Sequence, residues 1–159
     1  MKIKIRKAKI TDVQNIIDLA AKVSHSSIPP TRTIDIKLVE QFRRNDLAAL
    51  VTLLELPHIG IFIAEDEKNM FLGHLLGYTG DVESVTGERQ GWIFDLAVKE
   101  AFRGRGVAKE LVNHFTEFVK SAGLEYIGLL VTSENKEAVG LYTKLGFIEE
   151  RKRMAKKLS

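Results

Sequence analysis

Apolar residues recur along this chain with two periods, and the order of these periods predicts an α/β domain. Residues 3–7 alternate apolar and basic side chains, a pattern typical of a half-exposed strand. Residues 59–64 and 71–78 are apolar runs separated by a polar turn, which predicts a hairpin. Residues 92–98 and 126–131 are further apolar runs, and we expect both to be buried strands of one mixed sheet.

Helically spaced apolar residues lie between these strands. A capping box at residues 11–14 predicts the start of the first helix. Residues 34–56 predict a second helical stretch, with Leu38, Phe42 and Val51 among its core positions.

Two later helices are predicted at residues 107–122 and 135–145, and each is followed by a glycine that can end it. Residues 147–150 and 153–158 follow the last helix and contain apolar residues in short runs. We expect these two segments to close the sheet as an antiparallel pair.

A glycine-rich turn joins the strand at residues 92–98 to the helix that begins at Val107. The amides at the start of a helix have no partner within the helix and lie at the positive end of its dipole, so they bind anions. Glycine lets the backbone approach an oxygen closely, and arginine and lysine add charged donors. The candidate phosphate-binding residues are Arg103, Gly104, Arg105, Gly106, Val107, Ala108 and Lys109.

Two common nucleotide motifs do not fit this turn. The Gly-x4-Gly-Lys-Ser/Thr phosphate loop is absent, because Lys109 is followed by Glu110. The dinucleotide fingerprint would require glycine or alanine at Lys109.

The spacing does match Arg/Gln-x-x-Gly-x-Gly/Ala, with Arg103, Gly106 and Ala108 in the three fixed places. A Leu-Ala-Val run precedes the turn at residues 96–98, and an Asn-x-x-Ala-x-x-Leu-Tyr-x-x-Leu-Gly-Phe pattern follows at residues 135–147. Together these motifs resemble the acetyl-CoA pyrophosphate loop and its flanks in the GNAT superfamily of N-acetyltransferases. The resemblance implies a single domain over residues 1–159 with the GNAT-like acyl-CoA N-acyltransferase fold, a mixed central β-sheet flanked by helices.

The resemblance also implies roles for particular residues. The glycine-rich turn would hold the pyrophosphate of acetyl-CoA, and the segment of Leu96, Ala97 and Val98 would pair with the pantetheine arm as if it were another strand. Asn135 would bond to the same arm, although an asparagine here is equally suited to cap the following helix. Tyr142 matches the GNAT position whose phenol protonates, or donates a hydrogen bond to, the departing sulfur.

The residue that removes the proton from the acceptor amine is left open. Some GNAT enzymes that acetylate protein amino-termini use a glutamate at the position occupied here by Leu130. Asp95 is the nearest substitute, because it is the one charge in an apolar strand, and burial would raise its pKa to a useful value. The competing interpretation is a structural aspartate bonded to backbone or to an arginine. The remaining candidates are His74, Tyr78, Glu83 and Glu88.

Charge is distributed unevenly along the 159 residues, whose net charge is +3. Residues 1–9 and 151–159 each contain five lysines or arginines and no acid; subtracting these ten charges leaves −7 for residues 10–150. An acidic body favours a cationic acceptor such as an amine and disfavours nucleic acid, although basic ends keep nucleic-acid association as a minor alternative.

Other compositional features narrow the function further. The chain has no cysteine, and its four histidines show no metal-ligand spacing, so we expect no metal site. No apolar run approaches the roughly 18 residues of a membrane span, and the amino-terminal residues lack an apolar signal core. We therefore expect a soluble cytoplasmic protein that binds neither membrane nor nucleic acid.

The sequence as a whole predicts an acetyl-CoA-dependent N-acetyltransferase. The acceptor would be a primary amine of a small molecule or a protein, and transfer would occur directly in a ternary complex. The alternative is an acyl-CoA-binding regulatory module of the same fold without turnover. The resemblance also suggests a homodimer, because GNAT domains often pair through edge strands or exchanged carboxy-terminal strands.

Overall fold

The computed structural model describes residues 2–158 and contains one five-stranded sheet in the order β1-β2-β3-β4-β5. The strands are β1 (Lys4–Lys7), β2 (Ile59–Glu65), β3 (Phe71–Val82), β4 (Arg89–Val98) and β5 (Ile127–Leu129). The first four strands pair antiparallel, whereas β5 pairs parallel to β4. The predicted mixed sheet is therefore confirmed.

Residues 2–158 also form five α-helices. They are α1 (Val13–Val23), α2 (Ile36–Asp46), α3 (Leu50–Leu53), α4 (Val107–Ser121) and α5 (Lys136–Lys144). Short 3₁₀ turns precede α1, follow it, and link β4 to the glycine-rich turn. The predicted helix starts at Val107 and after Asn135 are confirmed.

Alternate residues of the central strands point to opposite faces and fill two separate cores. On the first face, Ile61 and Ile63 of β2 pack with residues of α1 and with Leu47 and Leu50. On the second face, the alternate β2 residues pack against α4. The buried members from α4 are Val107, Leu111, Val112, Phe115 and Val119. Each helical layer is thus held by its own apolar cluster.

The second helical stretch differs from its prediction. Residues 34–56 form two helices, α2 and α3, and not one. Leu38 and Phe42, expected in the core, are 62% and 70% exposed. The side of α2 that faces the protein instead carries Val39 and Arg43, which are four positions apart and half-buried. The apolar period therefore predicted the helix but assigned its buried side to the wrong residues.

The start of α1 also differs from its prediction. The predicted capping box over residues 11–14 is wrong, because α1 begins only at Val13 and its N-cap is Asp12, without a side-chain cap bond. Asp12 instead accepts a hydrogen bond from the backbone amide of Lys9 at 2.7 Å. Arg6 of β1 donates to both Asp12 and Glu65, and Lys4 also pairs with Glu65. Two of the basic residues near the amino-terminus are therefore neutralised within the fold.

The end of the chain departs most from expectation. Strand β5 has only three residues, all half-buried, where residues 126–131 were predicted as a buried strand. The predicted strands at 147–150 and 153–158 are wrong, because no strand is present there and Ile148, Met154 and Leu158 are 86%, 91% and 82% exposed. An apolar run forms a strand only where a neighbouring strand or an apolar core is available to pack against it.

Strand β4 has an irregular middle. Leu76 of β3 lies opposite Asp95 and Gly77 lies opposite Ile93, so Phe94 is an extra residue in the ladder, a β-bulge. Pairing of β4 with β5 ends at the same point, since the last pair is Ile93 with Leu129. Residues 94–98 of β4 therefore present an edge with no partner strand in residues 2–158, and we refer to this segment as the open edge.

Gly77 of β3 packs closely against Phe115 of α4. A Cβ atom added at Gly77 would lie 2.4 Å from the Phe115 ring, whereas one added at Gly80 of the same strand would meet nothing within 4 Å. We expect Gly77→Ala to lower the free energy of unfolding by about 1–3 kcal/mol through overpacking. Urea unfolding would measure this. Gly80→Ala is the matched control and should change stability by less than about 0.5 kcal/mol; equal effects would contradict the packing described here.

Candidate active site

The glycine-rich turn has the geometry of an anion site. Gly104 and Gly106 have φ angles of +69° and +85°, the left-handed region that other residues rarely adopt. Gly106 caps α4 without a side-chain partner, and the first bond of the helix runs from the amide of Glu110 to the carbonyl of Gly106. The amides of Val107, Ala108 and Lys109 precede that bond and are free to bind a ligand.

Basic side chains surround this turn. Arg103 is 41% exposed on its side chain and lies 3.4 Å from Glu137 of α5. The guanidinium of Arg105 lies over the Phe102 ring, 5.8 Å from its centroid, and Lys109 is exposed. The exposed cations and the free amides together make the start of α4 a positive surface.

The open edge of β4 leads directly into this turn. Leu96 and Val98 are half-buried, and Ala97 is buried against the first face of the sheet. On its other side, the same segment is fully paired with β3, through Leu75, His74 and Gly73. The unpaired amides and carbonyls therefore point away from β3, toward the gap that opens between β4 and β5.

Helix α5 contributes two of the expected residues. Asn135 caps the helix, because its side-chain oxygen accepts a hydrogen bond from the amide of Ala138 at 3.2 Å. The capping alternative for Asn135 is therefore confirmed. Tyr142 packs edge-on against Phe147, with ring centroids 5.6 Å apart. Burial, together with the negative charge of Asp95, raises the pKa of the Tyr142 phenol to about 12.

Asp95 lies at the centre of a partly buried polar cluster. Its Oδ1 accepts a hydrogen bond from Arg43 at 2.7 Å, and its Oδ2 accepts one from Nε2 of His74 at 2.6 Å. Arg43 also donates to Asp46 at 2.7 Å and lies 4.7 Å from the centroid of the Phe94 ring. We refer to Arg43, Asp46, His74 and Asp95 as the Asp95 cluster.

The protonation of Asp95 differs from the expectation. Burial acts to raise the pKa of Asp95, but the hydrogen bond from His74 and the charge and hydrogen bond of Arg43 outweigh it, so the pKa is lowered. The expected rise in this pKa is therefore wrong, because His74 of the neighbouring strand and Arg43 of α2 both bond to the carboxylate. Of the two interpretations of Asp95, the arginine-bonded aspartate is the one that its contacts match.

His74 is fully buried beneath Asp95. A carboxylate can only accept, so Nε2 of His74 carries the proton that it shares with Asp95. The other ring nitrogen, Nδ1, is buried without a hydrogen-bond partner among the described residues. The imidazole also stacks on Phe71, with ring centroids 6.2 Å apart. These contacts hold the ring in one orientation against the carboxylate.

Sequence reasoning did not identify Arg43. Its partner Asp95 is 52 positions away, and no local pattern distinguishes Arg43 from the neighbouring Arg44.

Two other positions considered for the general base are poorly suited to accept a proton from an amine. Two backbone amides, of Thr86 and Val85, lower the pKa of Glu83 to about 2. Leu130 is 67% exposed beyond the end of β5.

Residues 2–158 form neither a metal centre nor a membrane-spanning helix. Within that range no group of three or more His, Asp or Glu side chains is arranged to hold a metal ion. None of its helices combines the length and the apolar character needed to cross a bilayer.

Known protein structures resemble this fold closely. A protein assigned as an acetyl transferase from Pyrococcus furiosus superposes with a TM-score of 0.80 at 22% identity, over 99% of this chain and 100% of that one. The structure of AAC(6′)-Iy in complex with the bisubstrate analog CoA-S-monomethyl-acetylneamine has a TM-score of 0.72 at 20% identity, over the whole of both chains. At these identities the likeness establishes the fold alone.

Sequence relatives cover shorter segments. The uncharacterized N-acetyltransferase YdgE of Bacillus subtilis is 31% identical over 96 residues, which is 51% of this chain and 61% of the relative. The N-alpha-acetyltransferase MAK3 of Arabidopsis thaliana is 38% identical over 63 residues, 40% of this chain and 33% of the relative. The chain thus matches less than two thirds of the length of these curated relatives.

The sequence profile of the acetyltransferase (GNAT) family matches residues 26–147. This match includes the glycine-rich turn, the open edge of β4 and the whole of α5. The chain therefore belongs to the GNAT family of acetyltransferases.

Proposed function

We propose that this protein transfers the acetyl group of acetyl-CoA to a primary amine, in a ternary complex of protein, acetyl-CoA and acceptor. The observation that carries the proposal is the arrangement of three features: an unpaired strand edge, a turn with free amides at its end, and a half-buried phenol on α5. Relatives named as N-acetyltransferases support it, as does the CoA-containing analog in the structure of AAC(6′)-Iy.

The pyrophosphate of acetyl-CoA would bind at the glycine-rich turn. Gly104 and Gly106 have nothing within 4 Å of where a Cβ would lie, so the space above the turn is open to a ligand. The amides of residues 107–109 would donate to phosphate oxygens, while the side chains of Arg103 and Arg105 would neutralise their charge.

The pantetheine arm would bind along the open edge of β4. Its two amide groups can pair with the unpaired backbone groups of Leu96 and Val98, in the manner of an added strand. Asn135 uses its side-chain oxygen to cap α5, which leaves its Nδ2 group as a donor to the same arm. This arrangement would bring the thioester to the bulge at Phe94.

Transfer would form a bond between the amine nitrogen and the acetyl carbon, and would break the bond between that carbon and sulfur. A thiol has a pKa of about 8.5, well below the pKa of about 12 of Tyr142. Complete proton transfer from the phenol to the thiolate is therefore uphill. We infer that Tyr142 stabilises the departing thiolate mainly by donating a hydrogen bond to it.

Asp95 would act as a positioning residue and not as the base. A carboxylate with a lowered pKa is a poor acceptor for the proton of an ammonium group. Its bonds to Arg43 and His74 instead fix the strand beside the bulge. An acceptor amine with a pKa of about 10.4 would then lose its proton to water, and kcat/KM should rise with pH toward that value.

The glycine-rich turn can be tested by filling it. We expect Gly106→Val to weaken acetyl-CoA binding by about 100-fold or more, because the side chain enters the space of the phosphate and the backbone at φ +85° is strained. Calorimetric titration with acetyl-CoA, with ATP as a second ligand, would measure this. Gly123→Val is the matched control, since Gly123 has φ +75° and open space but lies at the other end of α4. Loss of binding in both variants would contradict a role for the turn.

The role of Tyr142 can be tested by removing its hydroxyl. We expect Tyr142→Phe to lower kcat by about 100-fold and to leave the Kd of acetyl-CoA unchanged, because the hydroxyl would act only on the departing sulfur. Tyr126→Phe, at a tyrosine that is 53% exposed, is the control. Since the pKa of Tyr142 is about 12, wild-type kcat should not fall up to pH 10. An unchanged kcat in Tyr142→Phe would remove the residue from the mechanism.

The Asp95 cluster predicts a stability that depends on pH. The pKa of Asp95 is lowered on folding, so its contribution is complete above the unfolded pKa of about 3.9 and is lost as pH falls through the folded pKa. We expect Asp95→Asn to cost about 3 kcal/mol at pH 7, and less at pH 3. Urea unfolding at both values would measure this. A cost that does not change with pH would contradict an ionised Asp95 at the centre of the cluster.

A further inference from the structure

An apolar cavity of about 230 Å³ opens between the sheet and the helices α2 and α3. Most of its wall is leucine and isoleucine. These residues are Leu47, Leu50, Leu53, Ile59, Ile61 and Leu76. Nothing in the proposed grip on acetyl-CoA uses this cavity, which lies on the first face of the sheet, opposite α4.

The cavity opens beside the proposed reacting centre. Phe94, the extra residue of the β4 bulge, forms part of its rim. Leu76 forms part of its wall and lies directly across from Asp95 in the sheet. Asp46, also at the rim, shares Arg43 with Asp95. A group bound in the cavity would therefore have its exposed end at the start of the open edge.

We propose that this cavity selects the acceptor, which is a primary amine carrying one apolar substituent about the size of a leucine or phenylalanine side chain and no carboxylate. This inference rests on the proposed function. The volume is smaller than the roughly 300–1,000 Å³ of pockets that enclose a drug-sized ligand. It suits one substituent and not a whole multi-ring acceptor.

The lining excludes strongly polar acceptors. A hydroxyl or ammonium group that lies against the leucine and isoleucine side chains loses its bonds to water. Of the lining residues only Asp46 and Tyr78 carry polar side chains, and the Tyr78 hydroxyl already donates to Asp81. A polyhydroxylated aminosugar would place several such groups against leucine and isoleucine. An alkyl or aryl group would instead gain about fourfold in affinity for each methylene that it buries.

The acidic rim of the cavity disfavours an acceptor that carries a carboxylate. The side chain of Asp46 is 34% exposed and attracts an ammonium group. Arg43, the cation paired with Asp46, is also bonded to Asp95 and does not offer a site to a carboxylate. A free amino acid would bring its carboxylate to this acidic rim, whereas an amine or an amide would not.

The specificity can be measured as kcat/KM by release of CoA. We expect phenylethylamine and leucinamide to exceed ethylamine by at least about tenfold, as the transfer of two or more methylenes into the cavity requires. They should also exceed glucosamine, whose hydroxyls would be desolvated, and free leucine, whose carboxylate would face Asp46, by about tenfold. A peptide amide that begins with leucine distinguishes the source of the acceptor. Acetylation of that peptide as fast as leucinamide would indicate a polypeptide amino-terminus, and acetylation of leucinamide alone a small amine. Equal or faster reaction of ethylamine, glucosamine or free leucine would overturn the proposal.

A cavity-filling variant tests the same point within one protein. Leu53 is half-buried in the cavity wall, and Leu53→Trp should lower the ratio of kcat/KM for phenylethylamine to that for ethylamine by at least about tenfold. Taking the ratio within one variant cancels any loss of folded protein. Val51→Trp is the matched control, because Val51 lies on the same helix, is 43% exposed and does not line the cavity. An unchanged ratio in Leu53→Trp would overturn the proposal.

Failure of this inference can be told apart from failure of the proposed function. No calorimetric binding of acetyl-CoA by the wild-type protein at millimolar ligand would overturn the proposed function itself. Binding of acetyl-CoA together with a preference for ethylamine or glucosamine would overturn only the assignment of the cavity.

Discussion

The constraint on which the candidate site depends is the early end of the pairing between β4 and β5. Backbone amides and carbonyls need hydrogen-bond partners, and a strand inside a sheet normally finds them on both sides. Strand β4 finds them on one side only after Ile93, because β5 stops at Leu129. The edge that remains is lined by half-buried residues and ends at a helix start with free amides. A ligand that pairs like a strand and carries a phosphate would satisfy the unpaired backbone groups of this edge and the free amides at the start of α4 together.

The Asp95 cluster keeps this edge in place. Arg43 connects α2 to the bulged part of β4, and His74 connects the neighbouring strand to the same carboxylate. Buried charges are costly unless they are paired and hydrogen-bonded, and Asp95 has a partner for each of its oxygens. The cluster therefore contributes little net stability compared with an apolar substitute of the same shape, but it fixes one register between α2, β3 and β4. That register determines where the bulge at Phe94 lies.

Sequence predicted the parts of the fold whose signals are local. The hairpin of β2 and β3, the glycine-rich turn and the helix starts at Val107 and Asn135 each depend on residues that are close in the chain. Contacts between distant segments could not be read in this way. The inward side of α2 carries Arg43 because Asp95 is there to receive it, and no periodicity contains that information.

The same limit explains the errors at the end of the chain. Apolar residues after α5 satisfied the pattern of strands, but residues 147–158 have no strand beside them in the fold, and Ile148 and Met154 are exposed. Asn135 shows the opposite case, since its cap bond involves a residue only three positions away and was open to prediction. The site was therefore predictable where it consists of turn and helix, and not where it consists of tertiary contacts.

The separation of the two cores by the sheet has an evolutionary consequence. Residues of α2 and α3 belong to one apolar cluster, and α4 with its glycine-rich turn belongs to the other. A substitution in the apolar cluster of α2 and α3 changes side chains that are not part of the cluster beneath α4, so the packing of the two faces can vary separately. Descendants of this chain can thus change the side chains beside α2 and α3 without rebuilding the turn at the start of α4.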